Sequence, residues 1–313
     1  MAAAVDSVPM HDGKKHPLIG FGTYKIGFVP ASSNTAGQPG HSPDQDPADI
    51  IKEAISTGYR YIDCAQFYGN EKIVGSALKA SGVPREELFI VSKVWGDKMY
   101  EGEAAIKAQF EQTISDLGVD YLDMYLVHWP VPGKHVAAYQ VLEGLLAGGC
   151  VRAIGVSNYT IEDYNELKAV MKVKPVVNQI EINPFLYRKT TIDFFQKEGV
   201  VLQSYRALRQ GKEMNHPKIQ EIAAKHSKTA AQVLGRWCVQ KGIVVVAKTV
   251  KKERMIENLG IFGFTLDDED MHALDGMTTP ESLEEFKALY YKCIVRDCPM
   301  QDNPPAPHAI TLD

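Results

Sequence analysis

The chain has 313 residues, 45% of them hydrophobic, which is enough to bury a sizeable core in one or two domains. Its net charge of −5 mixes both signs without a basic block, which argues against binding to nucleic acid or to an anionic membrane surface. No apolar stretch approaches the roughly 18 residues of a membrane-spanning helix, and the N-terminus lacks the basic flank and apolar run of a secretory signal.

Apolar runs rich in β-branched residues recur along the chain, and a helix-like stretch follows each of them. The eight predicted strands cover 18–22, 59–65, 88–94, 122–129, 151–158, 176–182, 200–206 and 242–248. The first helix is predicted in "DPADIIKEAISTG", with Asp46 as its N-cap, Pro47 in its first turn and Gly58 at its end. The connection before the eighth strand, 216–242, is long enough for two helices.

Continuous apolar strands that alternate with helices predict a parallel sheet covered by helices. Eight such units favour a closed (β/α)8 barrel of the TIM type. The alternative is a doubly wound open sheet. That fold usually carries G-x-G-x-x-G after its first strand when it binds a dinucleotide, and the sequence contains no such motif.

Three segments fall outside this repeat. Asp12-Gly13, within "MHDGKKHP", predicts an N-terminal β-hairpin. Residues 27–45 are rich in Gly, Pro and Ser and are expected to form a mobile loop insertion. Residues 281–313 are predicted to form one helix and an irregular tail over the barrel mouth. We expect 1–313 to be a single domain whose core spans about 10–280.

Polar side chains stand at the carboxyl ends of consecutive predicted strands, where barrels of this type place their chemistry. Asp63, Lys93 and His128 end the second, third and fourth strands, and Tyr68 follows the second. Burying the lysine or the histidine without a partner would cost several kcal/mol. We therefore expect Asp63 to pair with Lys93, and Lys93 to lie near the Tyr68 hydroxyl.

These four residue types suit carbonyl reduction. A cation near Tyr68 would lower the phenol pKa from its ordinary value near 10, so that Tyr68 could give a proton to a developing alkoxide. Asp63 would keep Lys93 charged, and His128 could donate a hydrogen bond to the carbonyl oxygen. A hydride donor would complete the reaction. Taken singly, each residue also has a structural interpretation, as a strand cap, a surface phenol, a snorkelling lysine or a core histidine.

Eight blocks of the sequence resemble those of the aldo-keto reductases in order and spacing. They are "IGFGTYK", "GYRYIDCAQFYGNE", "VPREELFIVSKVW", "LGVDYLDMYLVHWP", "VRAIGVSNY", "VVNQIEINP", "KTAAQVLGRW" and "KTVKKERMIENL". The resemblance implies a catalytic tetrad in which Tyr68 is the general acid, Lys93 and Asp63 tune it, and His128 orients the substrate. It also favours a monomer.

The resemblance further implies NADPH or NADP+ bound across the barrel mouth without a Rossmann fold. The implied cofactor-binding residues are Gly22, Thr23, Tyr24, Asp63, Ser157, Asn158, Gln179, Tyr205, Arg206, Leu208, Lys248, Thr249, Val250, Arg254, Glu257 and Asn258. Ser157, Asn158 and Gln179 would hold the nicotinamide carboxamide, and Tyr205 would stack on the nicotinamide ring.

The end of the eighth strand would recognise the adenosine part of the cofactor. Lys248, Thr249 and Arg254 would clamp the 2′-phosphate, and Glu257 and Asn258 would face the adenine. Because Arg and Lys pair with a phosphate dianion, NADPH is expected to bind better than NADH.

One loop departs from the family pattern. After the seventh strand the family usually has Tyr-Ser-Pro-Leu, whereas Arg206-Ala207 replaces Ser-Pro in this chain. Together with Arg209 and Lys212, Arg206 makes the loop basic. We expect the loop to contact the cofactor pyrophosphate through its charge.

The substrate pocket is predicted to be aromatic and mostly apolar, which suits aldehydes and small ketones. Its expected lining is Tyr24, Phe67, Trp95, His128 and Trp129. The five cysteines are odd in number and scattered, so a disulfide framework is unexpected and a cytoplasmic location is favoured.

Two other functions stay open at the level of sequence. One is a cofactor-binding regulatory or redox-sensing barrel with little turnover, which would have no use for a paired acid, lysine and phenol. The other is a metal-dependent barrel isomerase or hydrolase. No H-E-x-x-H motif or His/Asp cluster with ligand spacing favours it, and no metal site is predicted.

Overall fold

The computed structural model describes residues 6–27, 45–306 and 309–312, so nearly all of the predicted 27–45 insertion lies outside the described residues. The strands are β1 Ser7–Pro9, β2 Lys15–Pro17, β3 Ile19–Gly22, β4 Tyr61–Asp63, β5 Phe89–Val94, β6 Met124–Val127, β7 Ile154–Ser157, β8 Val177–Glu181, β9 Val201–Tyr205 and β10 Val244–Ala247. The α-helices are α1 Pro47–Thr57, α2 Glu71–Ser81, α3 Gly96–Glu101, α4 Glu103–Leu117, α5 His135–Ala147, α6 Ile161–Lys168, α7 Lys189–Lys197, α8 Pro217–Lys225, α9 Ala230–Gln240, α10 Lys252–Leu259, α11 Asp268–Asp275 and α12 Pro280–Cys293.

Strands β3 to β10 form a closed parallel barrel in the order β10-β3-β4-β5-β6-β7-β8-β9. The pairing of β10 with β3 closes the sheet and brings the two ends of the repeat together. The predicted (β/α)8 barrel is thereby confirmed, and the open-sheet alternative is wrong. All eight carboxyl ends meet at one rim, which we call the mouth.

Local sequence signals account for the helix ends. Asp46 accepts a hydrogen bond from the Ala48 backbone nitrogen at 2.8 Å, and α1 ends at Gly58. The connection before β10 contains two helices, as predicted. Over the described ranges, the chain has no helix that is both long and apolar enough to cross a membrane.

The N-terminal hairpin closes the end of the barrel opposite the mouth. Strands β1 and β2 pair antiparallel, as the Asp12-Gly13 turn predicts. Met10 joins an interior cluster with Met124 and Val244, the first residues of β6 and β10. The hairpin thus packs against the barrel interior at the end opposite the mouth, which leaves the mouth open to a ligand.

The C-terminal segment covers the mouth, as predicted. Phe286 and Tyr290 of α12 pack in one cluster with Phe67 and Trp129. Beyond the helix, the Asp297 carboxylate accepts a hydrogen bond from the indole nitrogen of Trp95 at 2.8 Å. The tail therefore forms part of the wall around the polar strand ends.

A buried carboxyl group joins α2, β5 and α4 on the outer side of the barrel. Glu71 accepts hydrogen bonds from the hydroxyls of Ser92 at 2.6 Å and Thr113 at 3.0 Å. Burial raises the pKa of Glu71 to about 7, although these two hydrogen bonds oppose the rise. Ser92 precedes Lys93 in β5, so this contact also supports the strand that carries the predicted lysine.

The stability of the protein should therefore depend on pH through Glu71. The folded state holds the proton of this carboxyl up to about pH 7, whereas the unfolded chain releases it near pH 4.5. Stability must then fall as pH rises through this window, by about 3 kcal/mol. Glu71→Gln should remove this dependence. The unfolding free energy of the variant minus that of wild type should therefore increase from pH 5 to pH 8.

Urea unfolding at pH 5, 6, 7 and 8 measures this difference. Glu103→Gln is the matched control, because Glu103 is an exposed residue that pairs with Lys107 on the surface of α4. A Glu71→Gln difference from wild type that is the same at every pH would contradict the prediction.

Candidate active site

The structure brings the four predicted catalytic side chains together at the mouth. Asp63 ends β4, and Lys93 lies one residue before the end of β5. Tyr68 ends a short 3-10 helix that follows β4, and His128 directly follows β6. Adjacent parallel strands thus present an acid, a lysine and an imidazole at one rim, with the phenol over them.

Asp63 and Lys93 form a buried ion pair. The Lys93 ammonium lies 2.7 Å from the Asp63 carboxylate and also donates to the Cys64 carbonyl at 2.9 Å. It lies 3.4 Å from the Tyr68 hydroxyl. The side chain of Lys93 is 0% exposed and that of Asp63 is 3% exposed. The pairing expected from the cost of burial is present.

Tyr61, which sequence reasoning missed, and Gln179, which it predicted to bind the cofactor, hold the Asp63 carboxylate from its other side. The Tyr61 hydroxyl donates to Asp63 at 3.0 Å, and Gln179 Nε2 donates at 2.7 Å. Gln203 accepts from both the Tyr61 hydroxyl and Gln179, at 3.1 and 2.8 Å. Tyr61 lies two residues before Asp63, so strand alternation could have placed it on the same inner face.

A glycine makes room for this hydroxyl. A Cβ atom on Gly20 in β3 would lie 2.2 Å from the Tyr61 ring, which is shorter than any tolerated contact. The ring therefore occupies the space of the missing side chain, and its hydroxyl reaches Asp63. The signal in the sequence is a glycine inside an otherwise apolar strand.

The expectation that Lys93 lowers the pKa of Tyr68 is wrong for this structure. Burial raises the pKa of the Tyr68 phenol well above its ordinary value, and the negative charge of Asp63 raises it further. The reason is that desolvation of the phenolate outweighs an ammonium whose charge is already shared with a carboxylate. Tyr68 therefore keeps its proton at neutral pH.

His128 is electrically neutral at physiological pH. Burial lowers its pKa well below the ordinary value, and the positive charge of Lys93 lowers it further. Its Nδ1 is buried and makes no hydrogen bond within the described parts of the chain. The His128 ring meets that of Tyr68 edge to face, with centroids 5.8 Å apart. A neutral imidazole beside the phenol can hydrogen-bond a bound carbonyl oxygen without introducing charge.

Residues predicted to hold the nicotinamide carboxamide lie together at the ends of β7, β8 and β9. Ser157 Oγ donates to the Gln179 carbonyl at 2.8 Å. Asn158 donates to the His128 carbonyl at 2.9 Å and accepts from the Tyr205 hydroxyl at 2.6 Å. Their hydrogen bonds connect these polar groups to the strand that precedes His128.

The basic loop after β9 is less available than its sequence indicates. Arg206 forms an ion pair with Glu181 at 2.9 Å, and the Glu181 side chain is 5% exposed. Arg209 approaches Glu213 at 3.9 Å, and Leu208 beside it is half-buried. Because the Arg206 guanidinium already pairs with Glu181, its interaction with a pyrophosphate would be weaker than the sequence indicates. The expected contact with the pyrophosphate stays a prediction.

The first and last strands of the barrel bring two lysines together. Lys248 follows β10, and both burial and the charge of Lys25 lower the pKa of Lys248 to about 8. Lys25, which the sequence analysis missed, lies 5.6 Å from the Tyr24 ring centroid. Neither ammonium forms an ion pair with any other described residue. Two cations that repel each other without an anion between them suit a phosphate group.

The other predicted cofactor residues lie around these lysines. Gly22 ends β3 and Thr23 follows it, and the Thr23 hydroxyl donates to the Asp63 carbonyl at 2.8 Å. Arg254 is exposed on α10, whereas Asn258 is 5% exposed on the inner side of that helix. The last three members of the predicted set, which are buried or half-buried around the same helix, are Thr249, Val250 and Glu257.

A further missed residue fixes the loop after β3. Asn70, which directly precedes α2, donates to the carbonyl of Thr23 at 2.9 Å and to that of Ile26 at 2.7 Å. The side chain is buried. It therefore joins the loop that carries Tyr24 and Lys25 to the element that carries Tyr68.

The predicted substrate pocket is an aromatic layer above the four polar residues. Phe67 stacks on Trp95 with ring centroids 4.0 Å apart, and Trp95 meets His128 at 5.0 Å. Trp129 packs toward Tyr290 of α12, at 6.3 Å. This layer covers the phenol and the imidazole, which are 9% and 7% exposed. Where the chain is described, no group of three His, Cys, Asp or Glu side chains could hold a metal ion.

The chain matches the model of the Aldo/keto reductase family over residues 18–278. Among curated proteins it is similar to a glyoxal reductase of Bacillus subtilis (strain 168). The identity is 40% over 276 residues, which cover 88% of this chain and 94% of that relative.

Solved structures give the same result. An aldose reductase of Schistosoma japonicum superposes with a TM-score of 0.78 at 30% identity, covering 88% of this chain and 94% of that one. An aldo-keto reductase of Bombyx mori in complex with NADP has a TM-score of 0.78 at 27% identity, with the same two coverages. A family match over most of the chain, on a closed barrel of the same shape, shows that this protein belongs to the Aldo/keto reductase family of oxidoreductases.

Proposed function

We propose that the protein reduces aldehydes and ketones to alcohols by hydride transfer from NADPH, with Tyr68 as the general acid. One observation carries the proposal. The buried Asp63–Lys93 pair lies 3.4 Å from a buried phenol, and a neutral imidazole stands beside that phenol. A buried lysine, acid and phenol are costly to keep unless the phenol must exchange a proton.

Each residue has a role that follows from its surroundings. His128 hydrogen-bonds the carbonyl oxygen and aims it at Tyr68. The raised pKa of the phenol keeps the proton on Tyr68 until negative charge develops on that oxygen. The proton then moves from Tyr68 to the oxygen, and Lys93 stabilises the phenolate that is left. Asp63 holds Lys93 in position, and the phenol regains its proton from water.

The residues at the mouth fit a phosphorylated nicotinamide cofactor. Lys25 and Lys248 form a cationic pair without an anionic partner among the described residues, which suits a phosphate. Ser157, Asn158 and Gln179 supply amide and hydroxyl groups near the phenol, where a carboxamide would be held. NADPH, when bound, supplies the hydride.

Preference for NADPH should depend on Arg254. Arg254→Gln is expected to weaken NADPH binding by about 10- to 100-fold, because a charge-assisted pair with the 2′-phosphate is lost. Binding of NADH should change by less than about threefold, since NADH has no such phosphate. Titrations followed by the quenching of tryptophan fluorescence measure both dissociation constants.

Lys252→Gln is the matched control on the same helix. Lys252 pairs with Glu53 at 2.6 Å, so its charge is already balanced and its loss should affect neither cofactor. If Arg254→Gln weakened the binding of NADPH and NADH equally, Arg254 would not be a contact of the 2′-phosphate.

The aldehydes that suit the site are small or aromatic, because the pocket is a tight aromatic layer. The similarity to a glyoxal reductase makes dicarbonyls natural first substrates to try. Loss of reduced-nicotinamide absorbance, followed with NADPH and NADH in parallel, tests the proposal. If NADPH binds but no aldehyde or ketone is reduced, the regulatory barrel becomes the better proposal.

We also propose that residues 1–313 act as one domain and one monomer in the cytoplasm. The five cysteines are free thiols, and four of them are buried, which suits a reducing compartment. Light scattering of the purified protein measures the mass in solution.

A further inference from the structure

An arginine from the C-terminal segment lies at the edge of the aromatic layer and has no carboxylate partner among the described residues. Arg296 follows α12, and its guanidinium carbon lies 4.9 Å from the centroid of the Phe67 ring. Its Nε is buried and makes no hydrogen bond to any part of the chain that the structure describes. Arg296 takes part in none of the ion pairs formed by the described residues. A half-buried guanidinium has lost hydration here without gaining an anion.

Carboxylates that could have paired with Arg296 are engaged elsewhere. Asp297, the next residue, accepts a hydrogen bond from the Trp95 indole at 2.8 Å. Glu181 pairs with Arg206 at 2.9 Å. Arg206 is therefore paired with a carboxylate, whereas Arg296 has no such pair within the described ranges.

The charge of Arg296 acts inside the substrate pocket. Burial raises the pKa of Tyr24, and the positive charges of Arg296 and Arg206 oppose that rise. On its other side, Arg296 lines a cavity of about 580 Å³ between the end of α12 and residues 301–306. The guanidinium thus stands between this space and the aromatic layer.

The position of Arg296 relative to the reacting groups limits the length of a ligand. The Phe67 centroid lies 6.3 Å from the His128 centroid and 4.9 Å from the guanidinium carbon. The imidazole and the guanidinium are therefore at most about 11 Å apart. For a ligand that lies between the two groups, hydrogen bonds of about 3 Å at each end leave at most roughly 5 Å between its carbonyl oxygen and its anionic group.

We propose that Arg296 binds a carboxylate of the substrate, so that the preferred substrates are aldehydes carrying a carboxylate up to roughly 5 Å from the carbonyl. This inference rests on the proposed carbonyl reduction and narrows its substrate class to oxo acids. Guanidinium is the side-chain group best matched to a carboxylate, because its planar fork donates two parallel hydrogen bonds.

Two aldehydes that share the same ring and reacting carbonyl, one charged and one neutral, test this inference. They are 3-formylbenzoate, whose meta carboxylate stays within the length that the site allows, and its methyl ester. Wild-type enzyme should have the higher kcat/KM for the acid. Arg296→Gln should lower kcat/KM for the acid by about 10- to 100-fold, mainly through KM, because a charge-assisted hydrogen bond is lost. The value for the ester should change by less than about threefold.

Two more variants separate charge from shape. Arg296→Lys should recover only part of the activity on the acid, because an ammonium lacks the fork. Lys287→Gln removes the same charge from α12, where Lys287 lies 3.6 Å from Glu284, and should leave both substrates unaffected. Equal losses on the acid and the ester in Arg296→Gln would overturn the inference while the proposed reduction stood.

Failure of the proposed function gives a different result. If wild-type enzyme reduced neither compound, the proposed reduction would fall. Calorimetric titration of the NADP+-loaded protein with 3-formylbenzoate would then decide the inference separately. Binding that is at least about tenfold weaker in Arg296→Gln would keep Arg296 as a carboxylate site, and unchanged binding would exclude it.

Discussion

Replacing Tyr68 with phenylalanine should lower kcat for aldehyde reduction by about 10²- to 10⁴-fold, the usual contribution of a positioned general acid. The substitution removes the hydroxyl that lies 3.4 Å from the Lys93 ammonium and leaves the ring in its contact with His128. NADPH binding should therefore change by less than about threefold. Steady-state rates and cofactor titrations on the same preparation measure both effects.

The control removes a hydroxyl from a nearby tyrosine that has no predicted role. Tyr125 lies on β6, three residues before His128, and its buried hydroxyl has no hydrogen-bond partner in the described structure. Tyr125→Phe should keep full activity. If Tyr68→Phe turned over as fast as Tyr125→Phe, another group would have to supply the proton, and Tyr68 would lose its proposed role.

Breaking the buried ion pair should have the largest effect on stability. Asp63→Asn leaves the Lys93 ammonium, which is 0% exposed, without its counter-charge. A loss of about 3–5 kcal/mol in the free energy of unfolding is expected, since an uncompensated buried charge is costly. Lys93→Met should cost a similar amount, because it leaves the carboxylate with only the Tyr61 and Gln179 hydrogen bonds.

The double variant Asp63→Asn/Lys93→Met removes both charges. Its loss in the free energy of unfolding should be clearly smaller than the sum of the losses of the two single variants. Urea unfolding of the four proteins measures this coupling. All three variants should lose turnover, because Lys93→Met removes the cation beside the Tyr68 phenolate and Asp63→Asn removes the carboxylate that holds this cation in position. Single losses that simply add would show that the two charges do not stabilise each other, whatever their 2.7 Å separation.

The pKa of Tyr68 shows which property of the site the sequence pattern predicts and which depends on burial in the fold. The sequence placed a lysine and a phenol near each other, and they are 3.4 Å apart. It did not reveal that the phenol would be 9% exposed beneath Phe67 and Trp95, and desolvation decides the direction of the shift. The acid is therefore held in its protonated form rather than activated in advance.

The supporting contacts of the site show the same division. Asp63 and Lys93 were found because they interrupt apolar strands, which is a local signal. Tyr61 and Gln203 were missed, because their roles appear only when the closed barrel brings the Tyr61 hydroxyl to the Asp63 carboxylate and Gln203 to that hydroxyl. Lys25 was missed for a similar reason.

The sequence by itself determined the order of eight strands and their helices, the hairpin, and the polar residues at the strand ends, because periodicity and capping are properties of neighbouring residues. Only the tertiary structure decided which distant groups meet. Closure of β10 onto β3 brings Lys248 beside Lys25, across more than two hundred residues of chain. The C-terminal tail likewise brings Arg296 to Phe67. Such contacts, and the desolvation that accompanies them, depend on how the whole chain packs and leave no periodic trace in the sequence.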